Sequence, residues 1–245
     1  MMYWVLKALL KPLLLAIYAI RVEGLENVPK KGAAIIAANH LSFLDSFFIP
    51  LVIKRRKVTY LAKADYFKSW KTRWFFRAVG QISCERDGGR RSEQSLLIAL
   101  EVLQAGKLLG IYPEGTRSPD GKLHRGRTGV ARLALASGAP VIPVGLIGTD
   151  VVQPKGRRLP RLTRGGRRIE VRIRFGKPLD FSRYQGKERD RFVLRAVTDE
   201  LMHAIGELSG QEYVDSYASR SATVPLPEGV APPDDIDLSE EILVS

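Results

Sequence analysis

From Ala33 to Phe175 short apolar runs alternate with longer segments whose apolar residues recur at helical spacing, and few folds accept that order. A run such as Ala33–Ala38, AAIIAA, offers no polar face. It reads as a strand buried on both sides, and helices between such strands are the crossovers that parallel pairing requires. The pattern therefore predicts an α/β domain with a mixed sheet flanked by helices. Six strands are expected: Ala33–Ala38, Val58–Ala62, Gln81–Cys84, Leu108–Tyr112, Val141–Gly145 and Ile169–Phe175. The last alternates strictly, so one of its faces is wet. Helices fit Leu44–Lys54, Phe67–Val79, Ser92–Gln104, Thr128–Ser137 and Lys187–Leu208, with Gly106 and Gly138 as stops. At 245 residues the chain is long enough for one large domain, and no internal repeat interrupts it.

The two ends differ from this middle. Seventeen of the first twenty residues are apolar, close to the length that spans a bilayer, but Lys7 and Lys11 fall on one helical face. Each lysine would cost about 2.5–3.5 kcal/mol near mid-bilayer, so residues 1–20 are expected to form a helix at the membrane interface rather than across it. A helix docked on its own domain is the alternative. From Thr223 the chain reads PLPEGVAPPDD, which predicts an extended or disordered acidic tail. The expected division is 1–20, a membrane-interface helix; 21–210, the α/β domain; and 211–245, the tail.

Charge narrows the partners. The formal net charge is +13, and six acids without a base fall between Ser221 and Ser245, so the excess sits on the rest of the chain. Such an excess favours a polyanionic partner: nucleic acid, an anionic membrane surface or a phosphate-bearing substrate. Tyr66–Val79 is aromatic and basic in the manner of a membrane-surface helix. Between Lys155 and Arg174 nine basic residues accompany one acid, Glu170. That segment reads as a solvated face or a headgroup contact; with no interleaved aromatic residues it is a poor nucleic-acid surface. A single cysteine, Cys84, excludes a disulfide scaffold.

Three histidines are present. His124 and His203 read as ordinary loop and helix residues. His40 follows the strand AAIIAA through Asn39, at the end where open α/β sheets place their sites, and Asp45 lies five residues on in NHLSFLD. In a continuous helix that spacing would part the side chains by about 140°. Across a turn the carboxylate could orient the imidazole, leaving the other nitrogen as a base for a substrate hydroxyl. Ser42 and Asp45 also match a helix capping box. A second segment, Tyr112–Ser118 or YPEGTRS, follows another strand and offers a glycine, a hydroxyl at Thr116 and a guanidinium at Arg117 suited to a phosphate.

NHLSFLD, GQISCER ending in Arg86, YPEGTRS around Glu114 and PVIPV from Pro140 stand in the order of the four motif blocks of the glycerolipid acyltransferases. The chain resembles their 1-acylglycerol-3-phosphate acyltransferase branch over roughly Arg21 to Lys177, including AKADYF at Lys63. The resemblance implies His40 as general base, Asp45 as its orienter, Lys63, Arg86 and Arg117 as the phosphate clamp, and Glu114, Gly115 and Thr116 around the glycerol. It also implies direct transfer from acyl-coenzyme A or acyl-carrier protein to lysophosphatidic acid, with no metal and no further cofactor. The enzyme is then expected at the cell membrane, peripheral or monotopic, with its site on the cytoplasmic side and no nucleic-acid partner. Acylation of glycerol 3-phosphate is the alternative chemistry; a non-catalytic basic membrane- or nucleic-acid-binding module is the alternative class.

Overall fold

The structure is a computed structural model that describes residues 2–63, 73, 81–84, 90–157 and 159–218. Its centre is a seven-stranded mixed sheet built from β1 (Ala19–Glu23), β2 (Ala34–Ala38), β3 (Val58–Lys63), β4 (Ile82–Cys84), β5 (Leu108–Ile111), β7 (Val141–Ile147) and β10 (Glu170–Phe175), in the order β1-β10-β7-β2-β5-β3-β4. All neighbours run parallel except β10 and β7. Three short pieces complete the strands: β6 (Leu123–His124), β11 (Tyr213–Val214) pairing with it, and the hairpin of β8 (Thr163–Arg164) with β9 (Arg167–Arg168).

The six expected strands all enter the sheet. The two faces of β2 explain why its sequence is uniformly apolar. Ala34, Ile36 and Ala38 enter one core with Phe48, Ile49, Val144 and Ile173. Ile35 and Ala37 enter the other with Leu103, Leu109, Leu133 and Ile205. Along β10, Val171, Ile173 and Phe175 are buried while Glu170, Arg172 and Arg174 stay half-exposed, the one wet face the alternation predicts.

Six α-helices are described: α1 (Met2–Ile17), α2 (Asp45–Val52), α3 (Arg90–Gln104), α4 (Gly129–Ser137), α5 (Thr149–Val152) and α6 (Arg191–Ser209). The expected start of α6 at Lys187 moves to Arg191 because Asp190 caps it, its Oδ1 accepting from the N–H groups of Phe192 and Val193 at 2.9 and 3.2 Å. The expected helix over Phe67–Val79 and the residues of the tail from 219 on lie outside the described residues.

The N-terminal helix ends before residue 20. Tyr18 is buried and donates its hydroxyl to the carbonyl of Arg161 at 3.0 Å, and Ala19–Glu23 pairs in parallel with Glu170–Arg174 as the edge strand β1. Tyr3 is buried, and the ammonium of Lys7 donates to the carbonyl of Ile53, so this face of α1 rests on its own domain. Burial beside Ile53 and the neighbouring charge of Lys11 bring the Lys7 ammonium down to about 8. Elsewhere α1 exposes Met2, Trp4, Val5, Leu9, Leu13 and Leu15. Among the described residues no helix is long and apolar enough to cross a membrane. At the other end, β11 pairs with β6, so residues 211–214, expected in the tail, pack with the domain.

Candidate active site

Parallel pairing delivers the site. Ala37 of β2 is in register with Ile111 of β5, so the segments that follow, Asn39–Asp45 and Tyr112–Ser118, leave the sheet side by side at its carboxyl edge. Through parallel pairing with β5 and β3, the ends of β3 at Lys63 and β4 at Cys84 reach the same edge. The side chain of Lys63 and the whole of Arg86 lie outside the described residues.

Asn39 sets the turn. Its side-chain oxygen accepts from the N–H of Leu146 at 2.7 Å, and its amide donates to the carbonyl of the same residue at 2.9 Å. The carboxamide thereby extends the β2–β7 pairing past the end of the strand and fixes where His40 emerges. The sequence shows Asn39 only as an amide directly after an apolar strand; its burial and its bonds to Leu146 come from the fold.

His40 and Asp45 meet across that turn. His40 Nδ1 lies 2.9 Å from Asp45 Oδ2, and the same oxygen accepts the N–H groups of Leu41 and Ser42, each at 2.8 Å. The Asp45 side chain is fully buried and that of His40 is 15% exposed. A carboxylate only accepts, so Nδ1 carries the hydrogen of this contact. Two amide bonds hold the carboxylate in place independently of the histidine. The capping expectation is met in part: Asp45 opens α2 and returns a bond to the Ser42 N–H, but Ser42 Oγ accepts from Leu44 N–H at 3.2 Å instead of from Asp45.

Tyr112 covers the imidazole. Its ring stacks on His40 with centroids 3.9 Å apart and planes 9° apart, and its hydroxyl lies 2.9 Å from Ser46 Oγ on α2. Tyr60 stacks behind it at 5.5 Å. Tyr60 fits because residue 110 is glycine; a Cβ there would come within 2.3 Å of its ring. Burial drives both phenols well above their usual range, so each remains a neutral wall.

The YPEGTRS segment is tied to the histidine at both backbone groups. His40 N–H donates to Glu114 Oε1 at 2.9 Å, and Ser118 N–H donates to the His40 carbonyl at 2.7 Å. The other oxygen of Glu114 accepts from the N–H of His124 at 3.1 Å. Glu114 is 1% exposed, so it faces the protein and not a glycerol pocket, and burial raises its carboxyl to about 7. Gly115 turns with φ 77° beneath the Arg127 side chain, a backbone conformation that disfavours other residues. Thr116 and Arg117 are half-buried at the rim. His124 is fully buried and bonds Asp120 at 2.9 Å, which makes it a tie within this loop.

A buried carboxylate bonded to an imidazole, with a loop tied to the histidine's backbone, stands at the carboxyl edge of the mixed sheet of an α/β protein. A family profile described as Acyltransferase matches residues 19–147, and the chain belongs to that family. It is 33% identical over 140 residues to the chloroplastic 1-acyl-sn-glycerol-3-phosphate acyltransferase of Arabidopsis thaliana, covering 57% of this chain and 39% of that protein. It is 27% identical over 196 residues to the 1-acyl-sn-glycerol-3-phosphate acyltransferase of Bacillus subtilis, covering 78% of this chain and 89% of that protein. The match thus spans well under half the length of the plant relative. The crystal structure of the 1-acyl-sn-glycerophosphate acyltransferase PlsC from Thermotoga maritima superposes with a TM-score of 0.54 at 30% identity, over 76% of this chain and 72% of that one. Among the described residues no cluster of three or more histidine, cysteine or acidic side chains is placed to hold a metal.

Proposed function

We propose that this chain transfers a fatty acyl group from an acyl thioester, acyl-coenzyme A or acyl-carrier protein, to the free hydroxyl of lysophosphatidic acid, giving phosphatidic acid. The observation that carries the proposal is the 2.9 Å contact between His40 Nδ1 and Asp45 Oδ2 at the sheet edge. The named activity of the plant, Bacillus and Thermotoga relatives supports the choice of acceptor. His40 Nε2 takes the proton of the acceptor hydroxyl as its oxygen attacks the thioester carbonyl. The tetrahedral adduct then collapses, the carbon–sulfur bond breaks, and the imidazolium returns the proton to the departing thiolate. Asp45 holds Nδ1–H throughout and stabilises the transient imidazolium. Tyr112 and Glu114 act as positioning residues, one on the ring and one on its backbone.

Lys63, Arg86 and Arg117 are proposed to hold the acceptor's phosphate, with Gly115 and Thr116 along its glycerol. The outward face of α1 is proposed to rest on the bilayer, where a lysophospholipid resides, with the catalytic edge facing the water-soluble donor on the cytoplasmic side. The six exposed large apolar side chains from Met2 to Leu15 support that reading. The deciding experiment supplies purified protein with labelled acyl-coenzyme A and either lysophosphatidic acid or glycerol 3-phosphate. Labelled phosphatidic acid, abolished by His40→Ala in a folded protein, is the expected result. Acylation of glycerol 3-phosphate alone, or full activity of folded His40→Ala, would refute it.

A further inference from the structure

Past the family match the chain builds a wall beside the site. A cavity of about 500 Å³ lies between Leu41 and Ser118 on one side and Lys155, Arg161 and Arg164 on the other. Leu41 follows His40 in the chain, and Ser118 carries the N–H bonded to the His40 carbonyl, so the cavity borders the turn that holds His40. The three cations stand on exposed backbone, yet the segment is anchored. Arg161 N–H donates to the carbonyl of Val152 at 2.7 Å, and the Arg161 carbonyl accepts the hydroxyl of buried Tyr18. The Arg168 guanidinium clamps the hairpin to the carbonyls of Leu15 and Tyr18 at the end of α1.

Three bases and two acids line the cavity. Asp120 also lines the cavity, but it is bonded to His124, to the Lys122 N–H and to Ser118 Oγ. Asp150 is the other acid on the wall and stands against three bases. Burial lowers the affinity of Lys155 for a proton, the positive charge of Arg117 adds to that, and Asp120 opposes it only in part. Cations gathered around an open cavity repel one another, and an anion between them reverses the sign of that interaction.

We infer that Lys155, Arg161 and Arg164 form a second half of the acceptor phosphate site, selecting a phosphomonoester lipid over an uncharged one. The inference rests on the proposed function above. The acceptor is favoured over the donor because the wall is bonded to the end of α1, the element proposed to lie at the headgroup level of the bilayer, where a lipid phosphate sits.

The test compares wild type, the triple variant Lys155→Ala, Arg161→Ala, Arg164→Ala, and the control Arg167→Ala, an exposed arginine of the same hairpin that does not line the cavity. Initial rates at one ionic strength are measured with lysophosphatidic acid and with monoacylglycerol. The triple variant should raise KM for lysophosphatidic acid about tenfold or more, by loss of charge-assisted bonds, while its rate on monoacylglycerol moves far less. An unchanged KM, or a rise confined to acyl-coenzyme A, overturns the inference. Thermal denaturation with glycerol 3-phosphate separates the two hypotheses. If wild type transfers no acyl group, the proposed function fails, while stabilisation of wild type but not of the triple variant still upholds the cavity as a phosphate site. Equal stabilisation of both, or of neither, overturns it.

Discussion

Replacing Asp45 by asparagine separates orientation of the base from construction of the loop. In the native site Oδ2 accepts three hydrogen bonds, from His40 Nδ1 at 2.9 Å and from two backbone amides at 2.8 Å, while Oδ1 is buried with no hydrogen-bond partner among the described residues. If the asparagine oxygen keeps the three-bond position, its NH₂ occupies that unpartnered site. A buried, unsatisfied donor costs about 1–3 kcal/mol, which lowers the melting temperature without abolishing the fold. If the amide flips, NH₂ faces His40 and the Leu41 and Ser42 amides lose their acceptor. Nδ1 must then be the acceptor and Nε2 the hydrogen carrier, the wrong tautomer for a base. In both arrangements the negative charge that stabilises the imidazolium is gone, so turnover should fall by roughly 10²–10⁴. The assay is kcat beside the thermal unfolding midpoint at one pH. A modest loss of stability with that fall in kcat is expected. Folded Asp45→Asn protein turning over at the wild-type rate would refute the role of the carboxylate.

Gly110→Ala should destabilise by about 1–3 kcal/mol, since its methyl would meet the Tyr60 ring at 2.3 Å, and should lower kcat through the Tyr60, Tyr112 and His40 stack; unaltered kcat would detach that stack from catalysis. Glu114 is raised by burial from the ordinary 4.5 to about 7, so the folded chain holds its proton more tightly than the unfolded one. Its contribution is fully present below about 4.5 and lost as pH rises through 7; the unfolding free energy of wild type relative to Glu114→Gln should therefore fall by roughly 2–3 kcal/mol between those limits in denaturant titrations. A flat difference would mean that the carboxyl titrates alike in both states. Leu9→Glu with Leu13→Glu changes two exposed side chains on the outward face of α1 and should leave the unfolding midpoint near that of wild type. Vesicle sedimentation should show binding at least tenfold weaker for that pair, because each leucine buried in lipid is worth about 1.5–3 kcal/mol; equal sedimentation would leave α1 as a helix packed on its own domain alone.

The elements legible in the sequence are those whose environment repeats along the chain. Strand β2 is buried on both faces and β10 on one, and each leaves a pattern of period one or two that needs no partner to be read. Strand β1 leaves none. Ala19–Glu23 follows an apolar helix without a glycine or proline stop, and its strand state comes from pairing with β10, some 150 residues away. The end of α1 at Ile17 depends likewise on Tyr18 finding the Arg161 carbonyl.

The site divides along the same line. His40 and Asp45 are close in sequence, so a turn suffices to join them, and their contact is apparent from spacing. What fixes the pair in place is distant: Asn39 bonded to Leu146, Tyr112 stacked over the ring, and Glu114 bridging the amides of His40 and His124. Each of these residues has a bland local reading, a turn amide, a strand aromatic and a surface acid. Parallel pairing gathers them at one edge, and only that topology sets a buried carboxylate against two amides instead of in water. The basic segment from Lys155 follows the same logic. As sequence it is a run of charge compatible with several polyanions. Anchored to Tyr18 and folded against Ser118, three of its cations face a cavity beside the base, and that position turns a general excess of charge into a specific expectation about a phosphate.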